Sequence, residues 1–139
     1  MRICVIDGQG GGIGSVLIRR IKEEYGEDVE VLALGTNAIA TAQMMKARAN
    51  RGATGENAII TTIAQADVVI GPLGIVLANS MMGEVTPAVA AAVASCPGRK
   101  FLLPLTQENV EVVSVTHQPL PHQVDIIVKE RLKEMFNHV

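Results

Sequence analysis

The feature that most constrains this chain is a run of glycines set between a short apolar segment and an amphipathic one. Residues 2–6 are apolar after Arg2 and stop at Asp7-Gly8, as a buried strand does. Asp7-Gly8-Gln9-Gly10-Gly11-Gly12-Ile13-Gly14-Ser15 follows, with five glycines in the seven positions 8–14. Residues 15–25 then predict a helix: Leu17, Ile18, Ile21 and Tyr25 share one face, Arg19, Arg20, Glu23 and Glu24 point away, and Gly26 ends it. A tight turn needs only about one or two glycines. Five of them strip side chains from the turn, so backbone can approach a ligand and the first N–H groups of the helix can face an anion. The helix dipole adds to that attraction. Strand, glycine loop and helix in this order form the context that gives such a loop weight as a phosphate cradle.

The rest of the chain predicts strands alternating with helices. Residues 29–34 form a second buried strand closed by Gly35, and an Ala/Met-rich helix runs from Thr36 to about Arg48. Arg51-Gly52-Ala53-Thr54-Gly55 breaks it, and a helix resumes near Glu56 and fades near Gln65. Residues 67–70 are a third strand, ended by Gly71-Pro72, and residues 75–82 read as an apolar helical segment. Thr86 can cap a helix that Pro87 opens and Pro97-Gly98 ends. Residues 101–105 are a fourth strand, residues 110–115 a fifth, and residues 121–136 a last helix with Val124, Val128, Leu132 and Met135 in a stripe. This pattern predicts an α/β, Rossmann-like three-layer domain with a mostly parallel five-stranded sheet. Only Thr106 to Asn109 separate the last two strands, too few for a parallel crossover. Residues 110–115 are therefore expected as an antiparallel edge strand. With no linker or repeat, residues 1–139 are expected to form a single nucleotide-binding-type domain.

Ligands of an open parallel sheet bind beyond the carboxyl ends of its strands. Those ends deliver Asp7, Gly35-Thr36-Asn37 and Gly71-Pro72. The expected binding residues are Asp7, Gly8, Gln9, Gly10, Gly11, Gly12, Ile13, Gly14, Ser15, Thr36, Asn37, Gly71 and Pro72. Gly12 and Gly14 are the expected points where backbone meets phosphate and helix meets strand. Thr54, Glu56, Asn57, Asn79, Ser80 and Glu84 lie on loops that would overhang the crevice, each with an ordinary capping or solvated role as its alternative. No Ser-His or Cys-His pairing can be drawn, so an enzymatic role would rest on Glu56, Asp7 or Glu84 as acid or base.

Composition narrows the partners. The formal charge is −2 and the densest basic cluster, Arg19, Arg20 and Lys22, is followed at once by Glu23 and Glu24. With one Tyr, two Phe and no Trp there is no platform for stacked bases, and nucleic acid is not expected. Cys4 and Cys96 lack metal spacing, and His117, His122 and His138 form no cluster, so no metal site is expected. Apolar stretches fall short of the ~20 residues a membrane span needs, and no leader pattern opens the chain, which predicts a soluble, cytoplasmic protein. The segment 73–82 has too few polar residues for a solvent face, and with the pairs Met44-Met45 and Met81-Met82 it suggests self-association as a dimer.

The spacing Gly8-x-x-x-Gly12-Ile13-Gly14 resembles the loop of short-chain dehydrogenases, over the loop alone, and that resemblance implies dinucleotide binding by backbone. The chain departs from that family in three ways. Gly35-Thr36-Asn37 stands where an acidic residue would hold a ribose hydroxyl, Tyr25 lacks the partnered Lys, and the chain is far shorter. No Gly-Lys-Ser/Thr follows the loop either, so it is not a Walker loop. Along its whole length the chain resembles a small, uncharacterised bacterial family of unknown function, found mostly in anaerobic Firmicutes. The likeness is carried by residues 5–14, 33–38, 52–58 and 70–72, and by Ala78-Asn79-Ser80-Met81-Met82-Gly83-Glu84. It implies no activity. The first expectation is binding of a nucleotide or other small phosphate-bearing ligand, with NAD(P) or another nucleotide foremost. The alternatives are a non-catalytic sensor or interaction domain, and a small enzyme using Glu56.

Overall fold

A computed structural model describes residues 1–106 and 108–137. Its centre is a five-stranded sheet of order β3-β2-β1-β4-β5, with every pairing parallel. The strands are β1 (Arg2–Asp7), β2 (Glu30–Gly35), β3 (Arg51–Thr54), β4 (Val68–Pro72) and β5 (Arg99–Leu103). The helices are α1 (Gly12–Tyr25), α2 (Ala38–Lys46), α3 (Glu56–Ile63), α4 (Pro87–Ser95), α5 (Leu120–Asp125) and α6 (Leu132–Asn137). The chain moves outward from β1 through β2 to β3, then returns to lay β4 on the other side of β1 and continues to β5. The order therefore reverses between β1 and β4, which opens a crevice at their carboxyl ends.

Alternation along the strands builds a core on each face of the sheet. Ile3, Val5, Val31, Ala33, Val68 and Ile70 meet Leu17, Ile18 and Ile21 of α1, Met44 of α2, and Val124 and Leu132 of the C-terminal helices. Cys4, Ile6, Leu32, Leu34 and Val69 meet Ile59 and Ile63 of α3 and Val89 and Val93 of α4. Three layers result, nearly free of aromatic side chains. No helix among the described residues is long and apolar enough to cross a membrane.

Several expectations need correction. The antiparallel edge strand is not there: residues 110–115 pair with no strand among the described residues, and Val110, Val112, Val113 and Val115 are 41–78% exposed. The fifth strand is β3, formed by the stretch read as a helix break. Its four residues pair with Leu32 to Gly35 and lie largely open to solvent. An exposed edge needs no apolar pattern, so none marks it in the sequence. Residues 75–82 are not a helix either. After a single turn of 3₁₀ helix (Leu73–Val76), Asn79, Met81, Met82 and Gly83 all adopt left-handed backbone, which no α-helix can continue through. The segment is covered only in part within the chain: Ile75 and Ser80 are buried, whereas Ala78 and Asn79 are exposed and Met82 is 96% exposed. The last helix is interrupted by a π-helical stretch, Ile126–Arg131. Helix α1 starts at Gly12, three residues before the expected start, because left-handed Gly11 sits at its N-cap. His138 lies outside the described residues.

Candidate functional site

The glycine loop is organised by two carboxylates of the chain itself. Asp7, the last residue of β1, is buried. Its Oδ1 accepts the Gly8 N–H at 2.8 Å and its Oδ2 accepts the Gly14 N–H at 2.7 Å, tying the strand end to the first turn of α1. Burial without a cation pushes the Asp7 carboxyl above its ordinary value of 3.8. The bonds from the Gly14 and Gly8 amides oppose that rise, and the nearby Glu84 charge adds to it.

Glu84 reaches the loop from the long connection between β4 and α4. Its Oε1 accepts the Gln9 N–H at 2.8 Å, the Thr36 hydroxyl at 2.7 Å and the Asn37 Nδ2 at 2.8 Å. Partial burial alone would raise its pKa, but those three donors together hold it below the ordinary glutamate value of 4.5. Asn37 also caps α2 by accepting the Ala40 N–H, and donates to the Gln9 carbonyl. Thr36, Asn37 and Glu84 thus form one latch that closes the carboxyl end of β2 against the glycine loop.

The glycines divide by what a side chain would meet. A Cβ on Gly8 would fall 2.3 Å from Thr36 Oγ1 and 2.9 Å from Glu84 Oε1. One on Gly14 would fall 2.5 Å from Met44 Sδ and 2.9 Å from Asp7 Cβ. Gly11 has φ +74° and lies against the backbone of Ala40, whose carbonyl oxygen would be 2.8 Å away. These three are required by packing. Gly10 and Gly12 are exposed, and a Cβ on either meets nothing within 4 Å. Among the described residues no acceptor bonds the Gly10 or Gly12 N–H, whereas the amides of Gly8, Gln9, Gly11 and Gly14 are all engaged. Gly12 opens the 14-residue α1, whose first turn carries no acidic side chain.

A cavity of about 300 Å³ lies at the switch point, lined by Asp7, Gln9, Ile13, Pro72, Gly74, Ser80, Met81, Leu105, Thr106 and Glu108. Ser80 is held by a 2.5 Å hydrogen bond from its hydroxyl to the Gly74 carbonyl. Glu108 is held by the Met81 N–H at 3.0 Å. Of the expected site residues, the structure brings Asp7, Gln9, Ile13 and Pro72 into this lining, with Ser80 from the overhanging set. Thr36, Asn37 and Glu84 stand next to it in the latch. Gly71 is buried in β4, where a Cβ would lie 2.5 Å from the Ile6 carbonyl oxygen, and the Ser15 hydroxyl turns back to the Gly11 carbonyl.

Glu56, Asn57 and Thr54 do not reach the cavity lining. Glu56 accepts the Thr86 hydroxyl at 2.5 Å and braces the start of α4, while Thr54 bonds the Thr41 hydroxyl at 2.8 Å. Asn79 is exposed at a left-handed turn. Leu105, Thr106 and Glu108 escaped the sequence reading. They lie just beyond the carboxyl end of β5, as Asp7 and Pro72 end β1 and β4, but the expected fourth strand includes Leu105 and the expected hairpin turn takes residues 106–109. Among the described residues no cluster suited to a metal ion is present. Burial pushes the Cys4 thiol up to about 12, so it packs as a protonated apolar group.

Fold and crevice together place the chain among α/β proteins with a Rossmann strand order, read through a glycine loop after the first strand. Within that class it belongs to the family described as a domain of unknown function, DUF3842, whose profile matches residues 2–136. No curated protein matches the chain. Among solved structures, a universal stress protein crystallised in complex with cAMP overlays with a TM-score of 0.40 at 17% identity, covering 72% of this chain and 94% of that one. An overlay that loose says nothing about the ligand of this chain.

Proposed function

We propose that this protein binds a small phosphate-bearing ligand, of the size of a single nucleotide, in the cavity at the carboxyl ends of β1, β4 and β5. The observation that carries the reading is the adjacency of the switch-point cavity to a glycine loop whose Gly10 and Gly12 amides remain unengaged. A phosphate at the start of α1 would take those amides together with the helix dipole. The remainder of the ligand would lie between the apolar surfaces of Ile13, Pro72, Met81 and Leu105, with Gln9, Ser80, Thr106 and Glu108 to bond hydroxyl and amino groups. The volume, about 300 Å³, lies at the low end for small-molecule sites. The Glu84 latch fills the end of β2, where the second half of a dinucleotide would extend. Both points favour a single nucleotide over NAD(P).

Charge favours a second reading. The lining carries two carboxylates, Asp7 and Glu108, and no Lys or Arg. Under that reading the ligand is a hydroxyl-rich or cationic metabolite, or a phosphate that arrives with a divalent cation. Among the described residues no nucleophile–base pair converges on the cavity, and no reaction is assigned.

A thermal-shift screen separates these readings. The panel contains single nucleotides with and without Mg²⁺, the matching nucleosides, simple polyamines, NAD(P), FMN, CoA and S-adenosylmethionine. A ligand at a hundred times its dissociation constant stabilises the native state by about 2.7 kcal/mol. A rise with nucleotides whether or not Mg²⁺ is present supports the first reading, and one that requires Mg²⁺ supports the second. A rise with nucleosides or amines supports the second. No rise with any compound at millimolar concentration overturns both and favours a loop that contacts a partner chain.

A further inference from the structure

A second cavity, of about 360 Å³, lies at the β3 side of the sheet, on the face that α3 covers. Strand alternation builds it. Arg2 stands two residues before Cys4 on β1, Glu30 two before Leu32 on β2, and Arg51 two before Ala53 on β3, so all three point to the α3 face. Glu30 Oε1 accepts Arg2 Nε at 2.8 Å and Arg51 Nη2 at 3.4 Å, one carboxylate against two guanidiniums. Among the described residues no acceptor bonds Arg2 Nη2 or the Nε and Nη1 of Arg51. Both arginines line the cavity, and no Asp or Glu does. That reverses the charge of the crevice at the glycine loop, whose lining holds Asp7 and Glu108 and no Lys or Arg. It is also a local excess of positive charge in a chain of formal charge −2. Thr61, Thr62 and Gln65 supply two hydroxyls and an amide from α3 and its end, and Leu32, Leu34 and Ala53 supply an apolar floor.

We propose that this cavity is a second binding site, for a small organic anion: a carboxylate or phosphate group on a short apolar body. The anion rests between Arg2 and Arg51, whose planar forks match the oxygens of either group. The body lies on Leu32 and Leu34, and the threonine hydroxyls bond the remaining oxygens. The fold does not need this second arginine. Glu30 already has the close partner Arg2, whereas the Arg51 side chain is 65% exposed and makes only the 3.4 Å contact, and an exposed pair of that kind adds little to stability. The site is independent of the glycine loop. Arg2 and Asp7 stand at opposite ends of β1, about 17 Å apart along the strand.

Titration of the intact, ¹⁵N-labelled chain, followed by ¹H–¹⁵N correlation spectra, tests it. The probes are butyrate and butyl phosphate, with acetate and inorganic phosphate beside them. Amide shifts at Gly52, Ala53, Thr61 and Thr62 should saturate with a dissociation constant of about millimolar or below. Shifts at Gly10 and Gly12 report the glycine loop separately, so the two sites succeed or fail independently. Butyrate should bind about tenfold tighter than acetate, because its two further methylenes reach the leucines. Tighter binding of butyrate than of butyl phosphate assigns a carboxylate and the reverse a phosphate, and either supports the site. Arg51→Gln leaves the Arg2–Glu30 pair in place, so the fold should persist by circular dichroism while binding weakens at least about tenfold. Arg51→Lys keeps the charge without the fork and should recover part of that loss. Arg19→Gln removes the same charge from an exposed position on α1 and should leave binding unchanged. Shifts that never saturate overturn the proposal. So does an affinity that Arg19→Gln lowers as much as Arg51→Gln, since that reads only the general attraction of anions to the chain. Equal affinity for acetate and butyrate overturns the role given to Leu32 and Leu34.

Discussion

Two glycines two residues apart in the loop should respond to the same substitution with opposite signs. Gly12→Ala places a methyl group where nothing lies within 4 Å, at the first position of α1 and without positive φ. It removes backbone freedom from the unfolded chain at no steric cost, which stabilises by about 0.4–1 kcal/mol. Gly14→Ala places its methyl 2.5 Å from Met44 Sδ and 2.9 Å from Asp7 Cβ. The Met44 tip is flexible in principle, but Met44 is fully buried among core side chains and has nowhere to swing. The loop must shift instead, which loosens the bond from Gly14 N–H to Asp7. Overpacking of this kind costs about 1–3 kcal/mol. Urea unfolding followed by circular dichroism, with a common slope across variants, should therefore separate the two by about 1.4–4 kcal/mol. A Gly12→Ala protein as unstable as Gly14→Ala would refute the division of the glycines into open and packed ones. Gly12→Val then extends the test to binding. It should fold normally, yet lose any ligand whose phosphate rests on the Gly12 amide.

Three further outcomes follow from the carboxylates and the strained turn. Glu84→Gln keeps an acceptor for Gln9, Thr36 and Asn37 but removes the charge, and should cost about 1–2 kcal/mol near neutral pH because charge-assisted bonds exceed neutral ones. The folded pKa of Glu84 lies below its unfolded value, so that contribution is present above pH 4.5 and fades as pH falls below it; a gap that widens on acidification would contradict the latch. Asp7→Asn turns an amide NH₂ toward either the Gly8 or the Gly14 donor and should destabilise by about 1–3 kcal/mol at pH 4. The wild-type Asp7 pKa is raised, so ionising it draws stability from the wild type as pH climbs above 3.8, and the difference between the two proteins should shrink toward neutrality in equilibrium unfolding across pH. Met82→Gly relieves left-handed backbone (φ +56°) at a side chain that packs on nothing, and should raise stability by about 0.5–1 kcal/mol in thermal unfolding.

What the sequence made legible follows burial. β1, β2 and β4 are buried on both faces, so each appears as an unbroken apolar run, and the helices between them show stripes because one face of each meets the sheet. β3 is an exposed edge of four residues containing Gly52, and leaves no apolar trace. Residues 110–115 err in the opposite direction: their valines have the composition of a strand, but the structure gives them no partner. Composition reports what a segment is able to do in a sheet, whereas pairing depends on an edge being within reach. The left-handed run at 79–83 was illegible for a third reason. Asn79, Met81 and Met82 hold that backbone through hydrogen bonds such as Asn79 N–H to the Val85 carbonyl, and no local rule anticipates a methionine there.

The same division explains why the site was only half legible. Strand ends can be read from the sequence, so Asp7, Gln9, Ile13 and Pro72 could be placed at one crevice before any coordinates. What they do there depends on residues distant in sequence. Asp7 and Glu84 engage the Gly8, Gln9 and Gly14 amides, so most of the loop is consumed in holding its own shape. Of its five glycines the loop therefore leaves only the Gly10 and Gly12 amides without an acceptor among the described residues. The negative charges that shape the loop also stand close to where that anion would rest. This limits the ligand more sharply than the glycine count suggests. A highly charged triphosphate would face Asp7, Glu84 and Glu108 with no basic side chain in the cavity lining to offset them. A single phosphate carried on a hydroxyl-rich body makes better use of what is present, with the anion on two amides and a helix dipole, and the hydroxyls on carboxylates already fixed by their own hydrogen bonds.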